Sequence, residues 1–404
     1  MKEPTPILFL SDAVSTQTGL ARIHRDLYLR AHEHLSDVFR IGTAGFSGSG
    51  SRGFPPPQYN LVTNDWICLN LPEIWEDFAG NEKGIIFTIW DASRLGWFSR
   101  PELSEELSKY QELKSFLTKP SFKKWIYSPL DASGPNDRLT WPLAQRLLGF
   151  DRILAYGKWG EDVIRRTLGD QESEKRGLTS LPHGINIDTF YPRERLAARG
   201  FFFSITGAST IFGKKDLIQS DEVLIGIVCT NQSRKDFGVA LEAVAILSRQ
   251  RKIRLWLHTD VLERVNCWSI PSLLVDFGLL ERTIISLEFL SDDALAKAYS
   301  ACDVTIAPGA EGWGFPIAES LACGTPVIHG DYAGGAELVP SEMRVSPVAF
   351  RLESLWACKR PVYNAEDWAA KVNEWIGKRT SLDSKYFWEN NWEGWEKWFR
   401  EGVK

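Results

Sequence analysis

Short runs of β-branched and apolar residues alternate along this chain with longer stretches in which apolar residues recur at helical spacing. That alternation restricts the fold more than any other feature, because strand, helix and strand in succession build a parallel sheet with crossover helices. In the first half the runs read as strands are Ile7 to Ser11, Val38 to Gly42, Trp66 to Leu71, Ile85 to Trp90, Lys124 to Tyr127 and Ile153 to Tyr156. A second series covers Val223 to Val228, Ile253 to His258, Ile284 to Phe289, Val304 to Ala307 and Pro326 to His329. Two similar α/β sheets are the economical arrangement, and 404 residues suit two or three domains at about 150 residues each.

Between the two series lies Pro182 to Pro192, punctuated by Pro and Gly and followed by charged residues up to Gly200, as an interdomain connection requires. The expected division is 1–190, 191–380 and a C-terminal helix over 381–404. Trp388, Trp392, Trp395, Trp398 and Phe399 stand at helical spacings among charges. Such a helix needs a surface to cover, and the N-terminal domain is expected to supply it rather than a membrane, because acidic residues share the polar face. Gly45 to Pro57 reads as an irregular loop, since Gly raises its entropy and Pro removes donors.

Composition narrows the classes further. Apolar residues at 44% and charged residues at 25% describe a globular chain. No apolar run approaches the about 20 residues of a membrane helix. The apolar stretch Ile7 to Leu10 is too short for a signal peptide, so the expected location is cytoplasmic. The six cysteines form no C-x-x-C pair and read as reduced thiols. A net charge of -5 gives no general attraction to phosphate polymers.

The most informative segment runs from Val304 to Ile328, with the grammar strand, glycine loop, helix, strand. Pro316 suits the first helical position and Gly324 the C-terminal cap. Gly312 and Gly314, with Trp313 and Phe315 beside them, allow backbone N–H groups to approach a ligand at a helix N-terminus. Glu311 on the loop and Glu319 about a turn into the helix offer acceptors for vicinal sugar hydroxyls. Read without any resemblance, this is a small polar ligand site, with solvated surface glutamates as the bland alternative.

This segment, with its Cys323-Gly324-Thr325-Pro326-Val327-Ile328 continuation, resembles the E-x7-E donor motif of family 4 type glycosyltransferases, the group 1 glycosyl transferases of GT-B fold. Gly334 to Val339 resembles the family's G-G-x-x-E-x-V stretch, and Pro182 to Pro192 its linker, with His183 in place of Asn. The resemblance implies an α/β chain of two Rossmann-like parallel-sheet domains facing a cleft, with a C-terminal helix packing back on the first. It implies that the second domain holds a nucleoside diphosphate sugar, a UDP-sugar above all, and the first a hydroxyl-bearing acceptor. Glu311 would contact the transferable hexose, glucose-like, and Glu319 the ribose.

Thr230, Asn231, Arg234 and Lys235 lie on the turn after the first strand of the second series, ahead of a helix, where a diphosphate is expected. The family commonly uses an Arg and a Lys about five positions apart; here Lys235 matches, Thr230 occupies the Arg position and Arg234 is adjacent, so either cation can be the contact. No D-x-D triplet occurs, in keeping with metal-independent transfer and no cofactor beyond the co-substrate. Retention of configuration is a further implication. Gly19 would approach the donor phosphates, and His258, ending a strand, either lines the nucleotide pocket or is structural. Asp91, also at a strand end, would orient or deprotonate the acceptor, or else cap a helix.

The acceptor is the open end of this reading. Lys114, Lys119, Lys123 and Lys124 form a basic stretch interleaved with aromatics, compatible with a polyanion groove or with a solvated face. A loose similarity to viral glycosyltransferases makes hydroxymethylated DNA the alternative acceptor. A nonenzymatic nucleotide-sugar sensor is the alternative of another class, while an oxidoreductase is disfavoured by the lack of G-x-G-x-x-G after either first strand.

Overall fold

The computed structural model describes residues 3–48, 53–210, 213, 218–353 and 356–403. The chain divides into two compact units, residues 1–183 with 391–404, and residues 184–390. The division thus falls earlier than residue 190, and residues 381–390 belong to the second unit.

The first unit is built on β1 (Thr5–Asp12), β2 (Phe39–Phe46), β3 (Gln58–Asn60), β4 (Gly84–Thr88), β5 (Phe122–Ser128), β6 (Arg152–Ala155) and β7 (Thr179–Ser180). They form a sheet in the order β3-β2-β1-β4-β5-β6-β7, parallel throughout. In β1, Ile7, Leu8, Phe9 and Leu10 are all buried, the continuous burial that a strand covered on both faces requires. Strand order reverses direction between β1 and β4, so their carboxyl ends open at a switch point, where α/β sheets bind ligands. Helix α1 (Gly19–His34) follows β1, capped by Thr18, whose hydroxyl accepts from Ala21 N at 3.1 Å.

The C-terminal helix, Trp388–Glu401, turns its aromatic stripe inward. Within the first unit Phe399 packs 5.4 Å from Phe87, Trp395 lies 4.8 Å from Tyr127, and Arg400 Nη1 bonds Asp37 Oδ2 at 2.8 Å.

Two local readings change. Trp66 to Leu71 is not a sheet strand: Ile67–Cys68 pairs only with Thr63–Asn64 in a short antiparallel hairpin, and Leu71 opens the helix Leu71–Ala79. Asp65 and Trp66 both take positive φ, 46° and 72°, which ends any extended run before it starts. In the expected loop Gly45 to Pro57, Gly45 and Phe46 complete β2, and residues 49–52 lie outside the described residues.

The second unit has β8 (Ser209–Thr210), β9 (Val223–Val228), β10 (Ile253–His258), β11 (Thr283–Ser286), β12 (Val304–Ala307), β13 (Val327–Gly330) and β14 (Arg344–Val345). Their order is β8-β11-β10-β9-β12-β13-β14, with β8 alone antiparallel. Again the first long strand sits at a reversal, with β10 on one side of β9 and β12 on the other. Helix α2 (Phe237–Ser248) follows β9, and α3 (Phe315–Ala322) follows β12. Each unit is Rossmann-like, a mainly parallel sheet with crossover helices. Among the described residues no helix is long and apolar enough to cross a membrane.

Candidate active site

At the switch point of the second unit, the turn after β9 and the loop after β12 touch. Lys235 and Gly309 form an antiparallel bridge, and a Cβ on Gly309 would lie 2.6 Å from Lys235 Cδ, so only glycine permits this approach. Gly314 takes φ +104° at the cap of α3, and Pro316 sits in the first turn, as its missing N–H allows. A third loop closes in: Gly335 N donates to Glu311 O at 2.8 Å, and a Cβ on Gly334 would meet Gly312 O at 2.1 Å.

This convergence brings three charges together. Glu311 ion-pairs with Lys235 Nζ through one carboxylate oxygen and with Arg234 Nη1, at 3.3 Å, through the other. Arg234 also donates to Ala310 O at 2.7 Å. Lys235 is only 4% exposed, so its charge is held by Glu311 rather than by solvent. Both cations expected to meet a diphosphate are therefore clustered on the glutamate expected to meet the sugar. Glu319, 3% exposed on α3, accepts from the buried Tyr299 hydroxyl at 3.0 Å. Trp313 is buried with its ring 5.3 Å from Phe315, so the stretch Gly312 to Phe315 offers a ligand mainly backbone.

Two expected donor contacts have other work. Asn231 is fully buried and committed to its own chain: its N–H donates to Asp260 Oδ1 at 2.7 Å, its Nδ2 to Trp268 O at 2.8 Å, and its Oδ1 accepts from Trp268 N at 3.1 Å. It fastens the 260–268 loop, while Thr230, two residues past β9, and Ser233 are exposed on that turn. His258 bonds Ser286 Oγ at 2.8 Å and stacks on Trp256, and burial holds its pKa below the usual value, which fits the structural alternative.

His329 is a residue of this site that sequence reasoning missed. It is buried near the end of β13, its Nδ1 bonds Ala307 O at 2.7 Å, and among the described residues its Nε2 has no partner. A Cβ on Gly335 would come within 2.8 Å of that Nε2 and 2.9 Å of Glu311 Cβ, so the bare nitrogen borders the glutamate. Burial pushes its pKa down to about 4.

In the first unit, Asp12 ends β1 and Asp91 follows β4. Trp90 Nε1 donates to Asp12 Oδ1 at 3.2 Å, and Thr18 Oγ1 to Asp12 Oδ2 at 2.5 Å. Asp91 caps the short turn Ala92–Arg94 through Ser93 N at 2.7 Å, so the capping alternative is realised. Burial nonetheless raises its pKa, with Asp131 adding repulsion, and a carboxylate with a raised pKa is a better base. Tyr156, 4% exposed just past β6, has no partner for its hydroxyl among the described residues; burial raises its pKa, and the charges of Asp91 and Asp12 raise it further. Gly19 is the exposed first residue of α1.

Of the basic stretch, one lysine is turned away from solvent. Lys124 is buried, its Nζ donating to Phe98 O at 2.7 Å and Leu117 O at 3.2 Å, and desolvation pushes its pKa down to about 8. Lys119 and Lys123 are exposed and Lys114 half-buried.

The fold is that of the GT-B class. Residues 222–376 match the model of the family described as glycosyl transferases group 1. A D-inositol 3-phosphate glycosyltransferase of Mycobacteroides abscessus is 24% identical over 57% of this chain and 45% of its own length. The namesake from Thermobispora bispora is 25% identical over 78% of this chain and 68% of its own. The chain thus spans less than half of the first of these relatives. Among solved structures, Anabaena Alr3699/HepE in complex with UDP and glucose aligns at 13% identity with a TM-score of 0.61 over 98% of this chain and 95% of that one. The apo structure of OtsA aligns at 13% identity and the same TM-score over 100% and 99%.

Proposed function

We propose that the protein is a glycosyltransferase that moves a glucose-like hexose from a UDP-sugar to a hydroxyl-bearing acceptor. The observation that carries the proposal is the Glu311, Lys235 and Arg234 cluster on glycine-built loops at a strand switch point, inside the segment that matches the group 1 family. Arg234 and Lys235 neutralise the diphosphate, aided by the α2 N-terminus behind the turn. Glu311, released from them, accepts hydrogen bonds from the hexose hydroxyls, while Glu319 takes the ribose. Proteins of like fold in complex with UDP and glucose and with UDP-2-fluoro glucose support the choice of donor.

In the transfer, the acceptor oxygen bonds to the anomeric carbon as the bond from that carbon to the diphosphate oxygen breaks. The bonding electron pair leaves with UDP. The acceptor proton passes to Asp91, whose carboxyl is biased toward taking it up. Charge on the leaving group is met by the two cations, so the proposal includes no metal; it takes retention from the family resemblance, with the acceptor oxygen entering on the face that the diphosphate leaves.

The test is a panel of nucleotide sugars with hydroxyl acceptors, read as UDP release. Turnover of a UDP-hexose is expected. Binding of UDP-sugars without release under any acceptor would make the protein a sensor, and absence of UDP binding altogether would end the donor-site assignment. Hydroxymethylated DNA belongs in the panel as the alternative acceptor, although burial of Lys124 removes one of the four cations that favoured it.

A further inference from the structure

Four lysine and arginine side chains are buried among the described residues, and three of them have a carboxylate to hold. Arg176 pairs with Glu172, Arg199 with Asp303 and Lys235 with Glu311. Lys124 is the exception. At 6% exposure it has no carboxylate within ion-pair distance among the described residues. Its Nζ is held by Phe98 O at 2.7 Å, by Leu117 O at 3.2 Å and by the face of the Phe98 ring.

An ammonium has three N–H groups, so one is left over. A buried charge without a counter-ion is costly, and desolvation pushes the pKa of Lys124 down to about 8 against the more distant pull of Glu102 and Asp151. Both of those carboxylates are engaged elsewhere. Glu102 Oε1 pairs with Arg100 Nε at 2.5 Å, and Asp151 Oδ2 accepts from the backbone N of Lys124 at 2.7 Å.

Lys124 and Ser99 line one cavity of about 200 Å³. Ser99 is 3% exposed, and its hydroxyl has no partner among the described residues, a second unmet demand at the same place. A Cβ on Gly149 would lie 2.2 Å from Ser99 O, so the wall closes only over glycine. Lys124 is the third residue of β5 and Asp151 directly precedes β6, which puts the cavity at the amino end of the sheet. Asp91 lies past the carboxyl end of β4, so the transfer chemistry makes no use of this cavity.

We propose that the cavity is a binding site for a small monocarboxylate, one oxygen accepting from the Lys124 ammonium and the other from the Ser99 hydroxyl. Two separate donors suit the two oxygens of a carboxylate. A single negative charge neutralises Lys124, whereas a dianion would turn its second charge toward Glu102 and Asp151. The inference is independent of the transferase reading.

The probe is acetate, titrated calorimetrically into the full chain, with acetamide as its uncharged counterpart and inorganic phosphate as the more highly charged anion. Acetate is expected to bind at one site per chain, acetamide not at all and phosphate more weakly. Ser99→Ala should weaken acetate by roughly tenfold, as loss of a hydrogen bond to a charged group does, and Lys124→Met should abolish its binding. Ser99→Ala removes a single oxygen, so it decides the matter even if Lys124→Met fails to fold, which melting curves of both variants show. Saturating UDP should leave acetate binding unchanged. No acetate binding, equal binding of acetamide, tighter binding of phosphate, or an acetate affinity untouched by Ser99→Ala would each overturn the proposal. Displacement of acetate by UDP would assign the anion to the donor cations and overturn it equally.

Discussion

Each unit buries a histidine against its sheet, and the two are treated differently. His24, in α1, uses both ring nitrogens: Nδ1 bonds Asp12 O at 2.8 Å and Nε2 bonds Thr43 Oγ1 at 2.8 Å, with the ring stacked on Phe9. His329 uses one. Since Ala307 O can only accept, Nδ1 of His329 carries the proton and its partnerless Nε2 is a bare acceptor. Burial pushes both pKa values down to about 4. A satisfied histidine is a rivet between a helix and two strands, whereas an unsatisfied one bordering Glu311 retains bonding capacity that a packed core would not leave unused.

The widest contrast should come from removing the glutamate. Glu311→Ala is expected to lower transfer by about a hundredfold to a thousandfold, as loss of a group acting on the transition state does, and to leave Lys235 buried without its counter-ion. Normal turnover in that variant would remove the second unit's claim to the chemistry. His24→Ala, by contrast, should act on folding: losing two hydrogen bonds and a buried ring costs about 2–4 kcal/mol, read as a lower denaturation midpoint, with UDP affinity unchanged.

Acid sharpens the comparison. Both histidines have an ordinary value of 6.5 and a folded value of about 4, so between those limits the unfolded chain binds more protons. Their contribution to stability is complete above 6.5, falls as the pH drops toward 4, and declines no further below that. Denaturation midpoints taken across this window should fall, and His24→Ala should flatten the slope. An unaltered slope would mean that His24 is not neutral in the fold.

The smallest effect is expected from His329→Asn. It should change stability by about 1 kcal/mol or less, because one hydrogen bond is at stake, while weakening UDP-sugar binding severalfold. Calorimetric titration and a melting curve on one sample distinguish this from the His24 pattern, and the reverse ordering would erase the distinction drawn here.

The sequence exposed the sheets and the loop between Ala307 and Phe315 because strand burial and glycine spacing leave periodic marks. It misread Trp66 to Leu71 for the same reason: an apolar run looks like a strand until a pair of positive φ values, which no periodicity records, turns the chain. Lys124 looked like its neighbour Lys123, yet adjacent strand residues face opposite ways, and a lysine that gives its ammonium to two carbonyls has the same letter as a solvated one. Asn231 was legible as a turn residue but not as a fastener, since its partners are about thirty positions distant. His329 and Tyr156 left no mark because what distinguishes them is a missing bond.

The pairing of Glu311 with Lys235 and Arg234 bears on how a catalytic cycle would end. If these residues bind as proposed, an intact nucleotide sugar repays both sides of the broken pairing, phosphates to the cations and hydroxyls to the carboxylate. Once the hexose has gone, UDP still engages the cations but offers Glu311 nothing, and the carboxylate competes to take them back. Such a site would expel its own by-product, with the internal ion pair acting as a spring that the substrate compresses and the product cannot hold down.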